Sequence, residues 1–364
     1  MASITDVARL AGVSPATVSR VLSSAHYAVS PATRERVLEA ARTLDFVPNA
    51  LARGLLKSYV PVVGVIVHDI TDPYFADVVR GVEDAAAAGN YLVITCSSDR
   101  IAERENSYVR LLRSMRASTL IFAGSGLDDP ALNQEVRKHI AAMRAYGAAV
   151  VHLSPHPFGD PEVSVDNARG MTRIVEALIA LGHQRIAFLP GPSTLYVGRH
   201  RHEGYKQALT NAGIAYDPRL VVSTSFNREG GVEAVDRLLA GDAPFTAVCA
   251  ANDLMALGAL QRFAELGIGV PEAVSVTGFD DIRMASMVAP SLSTVRLPLY
   301  DLGHRGFEFA EKLLAGSRPR RQTLPTEVVM RNSTARAPAA ALPGAFRRGA
   351  TAVPEAAASM AARA

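Results

Sequence analysis

Two cysteines, Cys96 and Cys249, are all that the 364 residues carry. Each lies in or just after an apolar run, YLVITC and TAVCAAN, so we expect two buried thiols in a reducing compartment, not a disulfide or a metal pair. No uninterrupted apolar stretch is long enough to span a bilayer, and no secretory leader is visible. A cytoplasmic protein without membrane contact is expected. The sequence also lacks a G-x-G-x-x-G turn after its first apolar run, a Walker loop and a G-x-S-x-G elbow. Asp and His are scattered without metal-ligand spacing. No enzyme, no metal and no cofactor is expected.

The chain is 49% hydrophobic and 20% charged, ordinary for a soluble globular protein, and long enough for two or three domains with cores. Net charge is only +3, but it is unevenly placed. Residues 1–58 carry seven basic against four acidic side chains, and the remainder balances at 31 against 31. The whole excess sits at the N-terminal end, as a surface that neutralises phosphates requires.

That end has its own pattern. Ser3 can cap a helix with Asp6 at its third position, and Ile4, Val7, Ala8 and Leu10 are expected on its apolar face. Gly12 stops it. Ser14 caps a second helix with Pro15 at the first helical position, and Val18, Val21 and Leu22 face inward. The letters SPAT recur at 30–33 and open a third helix, with Val37, Leu38, Ala41 and Leu44 inward. Two short helices joined by a glycine turn, with a third across them, predict a helix-turn-helix unit whose second helix enters the DNA major groove. Its leading residues are Pro15, Ala16, Thr17, Ser19 and Arg20. Thr17 and Ser19 can hydrogen-bond to bases or phosphates, Arg20 can pair with guanine O6 and N7, and Pro15 and Ala16 can touch only a thymine methyl. The plainer alternative is a three-helix cap that binds nothing.

The run IxDVAxxAGVSxxTVSRVL, then VSxxTRxxVxxAxxxLxFxPN and AxxL, resembles the N-terminus of the LacI/GalR (lactose-repressor) family of bacterial transcription regulators. The match covers residues 3–56 almost position by position. The resemblance implies an all-α DNA-binding head on a two-lobed, periplasmic-binding-protein-like α/β core. It implies DNA contacts from Thr5, Ser14, Pro15, Ala16, Thr17, Ser19 and Arg20. It also implies a hinge at 47–58 that becomes helical on DNA, with Asn49, Ala52 and a minor-groove wedge at Leu55. Gly54 departs from the family, which often has Ser there. A glycine costs up to ~1 kcal/mol in a helix, so this hinge is expected to fold more reluctantly. A plain flexible linker is the alternative for the segment.

From Pro61 the chain alternates apolar runs with amphipathic stretches. Strands are expected at Val62, Tyr91, Thr119, Ala148, Val163, Arg185, Leu220 (LVVST), Thr246 and Val274, with helices between them, including one from His202 to Ala212. Continuous apolar strands alternating with helices mean parallel sheets covered on both faces. Nine or so strands in two runs fit two Rossmann-like lobes: about 61–160 plus 291–324, and about 162–290 plus 325–334, within a core spanning 59–336. Proline-bearing links near 156–161, 290–294 and 325–326 are the expected crossings. Residues 337–364, rich in Ala and Pro, are expected to be a disordered tail.

Ligands of parallel sheets bind at the carboxyl ends of strands, and two lobes place those ends across a cleft. Tyr74 and Phe75 follow the first strand and can stack on a sugar or base, although a helix start with a buried ring would look the same. Phe226 is a further stacking candidate. Arg201 matches the arginine these regulators aim into the cleft. Asp253 is expected to cap a helix, leaving Asn252 to bond the ligand in both directions. Asp280 points into the cleft by resemblance. Arg201, Asn252 and Asp280 look like the set that holds a sugar in the family's sugar responders, whereas a purine would use the same places differently. Arg199 and His200 are expected to be solvated neighbours.

The resulting expectation is a sequence-specific DNA-binding regulator, a repressor, controlled by a small-molecule effector of the sugar class. It would act as a homodimer on a double-stranded, pseudo-palindromic operator. A pair of dimers is the alternative assembly, disfavoured because no leucine-heptad tail follows residue 334. A periplasmic-type solute-binding protein shares the core but not the head.

Overall fold

The structure is a computed structural model and describes residues 2–22, 29–47, 60–158 and 162–342. The expectations for Asn49, Ala52, Gly54 and Leu55 fall outside the described residues.

The head contains α1 (Ile4–Ala11), α2 (Pro15–Leu22) and α3 (Pro31–Thr43). Ser3 Oγ accepts the Asp6 N–H at 3.3 Å, and Asp6 Oδ2 accepts the Ser3 N–H at 3.0 Å, a reciprocal cap. Gly12 ends α1 with φ +65°. Ser14 Oγ accepts the Thr17 N–H at 3.1 Å. The core is small: Val7, Ala8, Ala11, Val18, Val21, Val37, Ala40 and Ala41, with Leu22, Leu44 and Phe46 packed at its edge. Three expected core positions are not in it. Ile4, Leu10 and Leu38 are exposed, and Ala11 and Ala40 take the inward places. Three short helices approach closely enough that alanine fills the seam, and the larger side chains fall at its rim.

The first lobe holds β1 (Val60–Val67), α4 (Pro73–Ala88), β2 (Leu92–Ser97), α5 (Ala102–Ser114), β3 (Ala117–Phe122), α6 (Pro130–Ala145) and β4 (Ala149–His152). Its sheet is parallel, in the order β2-β1-β3-β4. Alternate residues of β1 serve opposite faces. Val63, Val65 and Val67 join the cluster that includes α4, whereas Val62 and Ile66 join Val109 and Leu112 of α5 and Val136 and Ile140 of α6. The chain then passes through β5 (Val163–Val165) into α7 (Asn167–Ala180), β6 (Ile186–Leu189), α8 (Tyr196–Asn211), α9 (Arg228–Ala240), β7 (Ala247–Ala250), α10 (Asp253–Glu265) and β8 (Ser275–Thr277). The second sheet is parallel, β6-β7-β8. The return path is β9 (Thr294–Arg296), α11 (Leu299–Leu314), β10 (Gln322–Leu324) and β11 (Glu327–Val329). β10 pairs with β5, and β11 pairs antiparallel with β9.

Several details differ from expectation. The LVVST strand reduces to one bridge, Val221 to Phe188, because a single 3-10 turn at Pro218–Leu220 brings only that residue alongside β6. α8 starts at Tyr196 rather than His202, which places Val197 and Arg201 on it. Ser293 still bridges Thr277 of the second lobe, so the return to the first lobe falls between Arg296 and Leu299, not at 290–294. The start of the expected tail is tied down: the Ala337 N–H donates to Leu181 O at 2.9 Å, and Leu342 pairs with Phe245. Residues 343–364 lie outside the described set. Cys249 is buried, whereas Cys96 is only half-buried because β2 is the sheet edge.

Candidate effector cleft and DNA-reading helix

Every first-lobe strand ends on the same cleft. After β1, Asp72 caps α4 by accepting the Tyr74 N–H at 3.0 Å, with Pro73 at the first helical position. This start presents Tyr74, half-buried, and Phe75, buried, with ring centroids 4.9 Å apart edge to face. His68 stands edge-on to Phe75 at 5.8 Å. Beyond β2 comes Arg100, beyond β3 Gly124 and Ser125, and beyond β4 Ser154. The second lobe supplies Leu195, Val197, Arg201, Phe226 and Asp280.

Arg201 is the most heavily engaged of these side chains. It is buried; its Nε donates to Asn167 Oδ1 at 2.9 Å, Nη1 donates to Ala251 O, and Nη2 donates to Asp280 Oδ1 at 3.0 Å. Its guanidinium carbon lies 3.9 Å from the Phe279 ring centroid. Asp280 is held at φ +119° between two β9 contacts: its N–H donates to Val295 O at 2.8 Å, and its O accepts the Leu297 N–H at 3.2 Å. Such a backbone costs on the order of 1–3 kcal/mol and survives only where its surroundings enforce it. Burial pushes the Asp280 carboxyl up to about 7, against the opposing pull of Arg201. Burial drives the His68 imidazole down to about 3, with the Arg100 charge acting in the same direction, so His68 is neutral.

The lobes touch at the cleft's rim. The Val197 N–H donates to Ser125 Oγ at 3.0 Å, and the Asp128 N–H to Thr194 O at 2.8 Å. Arg199 pairs with Asp128 at 2.8 Å, and Arg283 with Asp77 at 2.8 Å. Arg199 is therefore a solvated neighbour of the cleft, as expected, and also an interlobe tie.

Of the expected effector residues, Tyr74, Phe75, Arg201, Phe226 and Asp280 line the cleft. Asn252 does not. Its Oδ1 accepts the Met255 N–H at 2.9 Å and caps α10, and its Nδ2 donates to Phe226 O at 3.4 Å. The cap expected at Asp253 thus belongs to Asn252. Asp253 is the first residue of α10, and its carboxylate accepts from the Ile282 N–H at 2.8 Å and Thr294 Oγ1 at 2.5 Å. His68, Asp72, Arg100, Ser125, Ser154, Leu195 and Val197 also line the cleft and were not singled out as ligand contacts. The strand-end rule would have found Arg100, which follows β2 as directly as Tyr74 follows β1. Leu195 and Val197 were hidden by the late helix start. No group of three His, Cys, Asp or Glu among the described residues is placed to hold a metal.

In the head, Ser14, Pro15, Ala16, Ser19 and Arg20 are exposed along α2, as is Thr5 on α1. Thr17 is half-buried, and its Oγ1 lies 2.9 Å from Ser14 Oγ. Arg34 Nη1 donates to Val21 O at 3.4 Å and ties α3 to the end of α2. The leading residues of α2 thus face outward on a rigid support, the presentation that major-groove reading needs.

The family model for bacterial regulatory proteins, lacI family, matches residues 3–49, and that for a periplasmic binding protein-like domain matches residues 175–334. The HTH-type transcriptional regulator RegA of Clostridium saccharobutylicum is 33% identical over 86% of this chain and 92% of its own length. The chain belongs to the lacI family of bacterial regulatory proteins. Two solved structures extend the likeness to the whole fold. The lac repressor dimer bound to operator and the anti-inducer ONPF is 29% identical, covering 92% of this chain and 99% of that one, with a TM-score of 0.80. The transcriptional regulator CelR in complex with cellobiose is 30% identical, covering 92% and 100%, with a TM-score of 0.66. This lacI-family protein is a DNA-binding transcription regulator with an effector-binding core.

Proposed function

We propose that this regulator is a repressor that binds a pseudo-palindromic operator as a homodimer and releases it when a sugar-class effector occupies the cleft. The observation that carries the effector class is the buried Arg201–Asp280 pair, flanked by Tyr74, Phe75 and Phe226 at the ends of parallel strands. Paired donors and acceptors suit hydroxyls, and ring faces suit the apolar side of a pyranose. The cellobiose held by CelR supports the same class, and the operator-bound lac repressor dimer supports the assembly. Two head units demand two half-sites, so protein symmetry is copied in the DNA. Effector binding changes the angle between lobes, which resets the spacing of the paired heads and shifts the balance between DNA-competent and incompetent states.

The finer points follow from that reading. The head is residues 1–46, the hinge 47–58 and the core 59–336. The protein works in the cytoplasm and catalyses nothing; no helix among the described residues is long and apolar enough to cross a membrane. A thermal-shift screen of sugars, sugar phosphates and nucleobases, followed by operator titration with each hit, tests the proposal. A ligand seated in the cleft stabilises the fold by mass action. A stabilising sugar that lowers operator affinity supports the proposal. A nucleobase hit, or a sugar that leaves operator affinity unchanged, contradicts it.

A further inference from the structure

We propose that the effector is anionic, and that its phosphate or carboxylate is held by Arg100 on the first-lobe wall, not by Arg201. This deepens the sugar-effector reading above and rests on it.

The two cleft arginines differ in what already satisfies them. Arg201 has three of its N–H groups committed inside the protein, and its charge is balanced by Asp280 at 3.0 Å. An anion brought to Arg201 would meet the Asp280 carboxylate beside it. Arg100 has no such bonded partner, although the charges of Asp72, Asp69 and Asp99 reach it. Among the described residues no carboxylate pairs with it, and its buried Nε has no hydrogen-bond partner. The nearby acids make their hydrogen bonds elsewhere, while their charges still act on Arg100. Asp69 accepts from Thr71 N and Oγ1 at 2.8 and 2.7 Å, Asp72 accepts from Tyr74 N, and Asp99 accepts from Arg104. Arg100's remaining contact is a cation–π approach, 5.8 Å from the Phe226 ring centroid.

A second group on the same wall is only weakly satisfied. His68 is 4% exposed and lines the cleft, and its ring nitrogens make no hydrogen bond of good geometry, only a weak approach to the Ser125 backbone. A neutral imidazole brings one N–H donor. Arg100 therefore presents an unmet donor to this space and His68 a weakly met one, and buried unmet donors are rare unless a ligand completes them. A guanidinium fork is matched in geometry to phosphate and carboxylate oxygens.

The turn that aims Arg100 is firmly built. Asp99 and Arg100 both sit in the left-handed region, at φ +54° and +59°, unusual for two successive residues that are not glycine. The Ser98 N–H to Val67 O bond at 2.9 Å, Asp99 N–H to His68 O at 2.6 Å and Ile101 N–H to Ser98 O at 2.8 Å hold it there. Released from those bonds, the pair would relax to an extended backbone and carry Arg100 off the cleft wall.

The test is calorimetric titration of the full chain, at constant ionic strength, with matched compounds. Glucose is compared with glucose 6-phosphate and glucuronate, and ribose with ribose 5-phosphate; inorganic phosphate and adenine are run alongside. At least one anionic member should bind tenfold or more tightly than its neutral partner. Glucuronate against glucose 6-phosphate separates carboxylate from phosphate. The preference should vanish in Arg100→Met and persist in part in Arg100→Lys. If Arg100→Met does not fold, judged by circular dichroism, the wild-type ratios and Arg100→Lys decide. A neutral sugar binding as well as its anionic partner, or an anionic preference that survives in Arg100→Met, overturns the proposal while leaving the sugar-effector reading in place. Binding of adenine alone, or of nothing, removes both.

Discussion

Arg201 and Asp280 meet at 3.0 Å with their side chains 3% and 7% exposed, so each is the other's main source of charge compensation inside the cleft wall. Removing one partner of such a pair leaves a buried charge uncompensated and costs about 3–5 kcal/mol. Asp280→Ala is expected to lower stability by that order in urea unfolding. The effector response should be lost, while operator binding, which belongs to the head, is retained under conditions where the variant is folded. A normal effector titration by Asp280→Ala would contradict the cleft assignment.

Arg20 is exposed on α2, one turn on from Ala16 and beside Ser19. Arg20→Ala is expected to weaken specific operator binding by about 1–3 kcal/mol and to relax base preference at one position of each half-site. Fluorescence anisotropy on operator and single-base variants measures both. Loss of affinity equal on every sequence would mean that Arg20 contacts phosphate only.

Helices α4 and α11 approach through two glycines. A Cβ on Gly81 would lie 2.1 Å from Tyr300 O, and one on Gly303 would lie 1.9 Å from Val78 O. The obstructing atoms are backbone, so the helices must separate. Gly81→Ala and Gly303→Ala are each expected to destabilise by about 1–3 kcal/mol or more, in line with other overpacked cores. Thermal unfolding checks this, and an unchanged melting temperature would refute the close approach.

Much of this was legible in the sequence, for identifiable reasons. The caps at Ser3, Ser14 and Ser30 and the stop at Gly12 are local chemistry, so they could be placed within a residue. The parallel sheets followed from apolar runs too continuous for a one-sided sheet. What could not be read depends on tertiary approach. Leu10 and Leu38 look like core residues until three helices close over alanines instead. Asn252 and Asp253 are both good caps, and only the positions of Ile282 and Thr294 decide that Asp253 is occupied elsewhere. Gly198 within α8 and Pro192 before it disguised a helix start, and with it two cleft residues. Arg100 follows an apolar run as directly as Tyr74 does, but nothing local announces the left-handed pair that aims it.

His68, His152 and His156 are buried, and burial holds all three imidazoles below their ordinary value: His68 down to about 3, His156 to about 4, and His152 well down. Below pH 6.5 the unfolded chain takes up protons that the folded core refuses. The stability these groups contribute is therefore complete above pH 6.5 and lost as pH falls towards 4. Glu105 and Asp280, both pushed up to about 7 chiefly by burial, act the opposite way over part of that range. The difference between wild type and a variant isolates one histidine. His152→Leu should flatten the dependence of unfolding free energy on pH by about 1.4 kcal/mol per unit as pH falls below 6.5. Parallel curves would show that His152 protonates in the folded state.

The exposed ties Arg283–Asp77 and Arg199–Asp128 join the lobes at the cleft rim. Surface pairs of this kind are worth about 0–1 kcal/mol, so Asp77→Asn should change effector affinity by less than tenfold and not abolish it. Calorimetry on the variant checks this, and complete loss of binding would mean that closure depends on this one pair.

The central claim is that a small basic head reads duplex sequence and a two-lobed core controls it. Selection of bound duplexes from a random pool by the full chain tests this most directly. The account predicts enrichment of a two-fold pseudo-palindrome whose recovery falls in Arg20→Ala and falls steeply as salt rises. Recovery of no preferred sequence, with wild type and Arg20→Ala retaining the same pool, would contradict it.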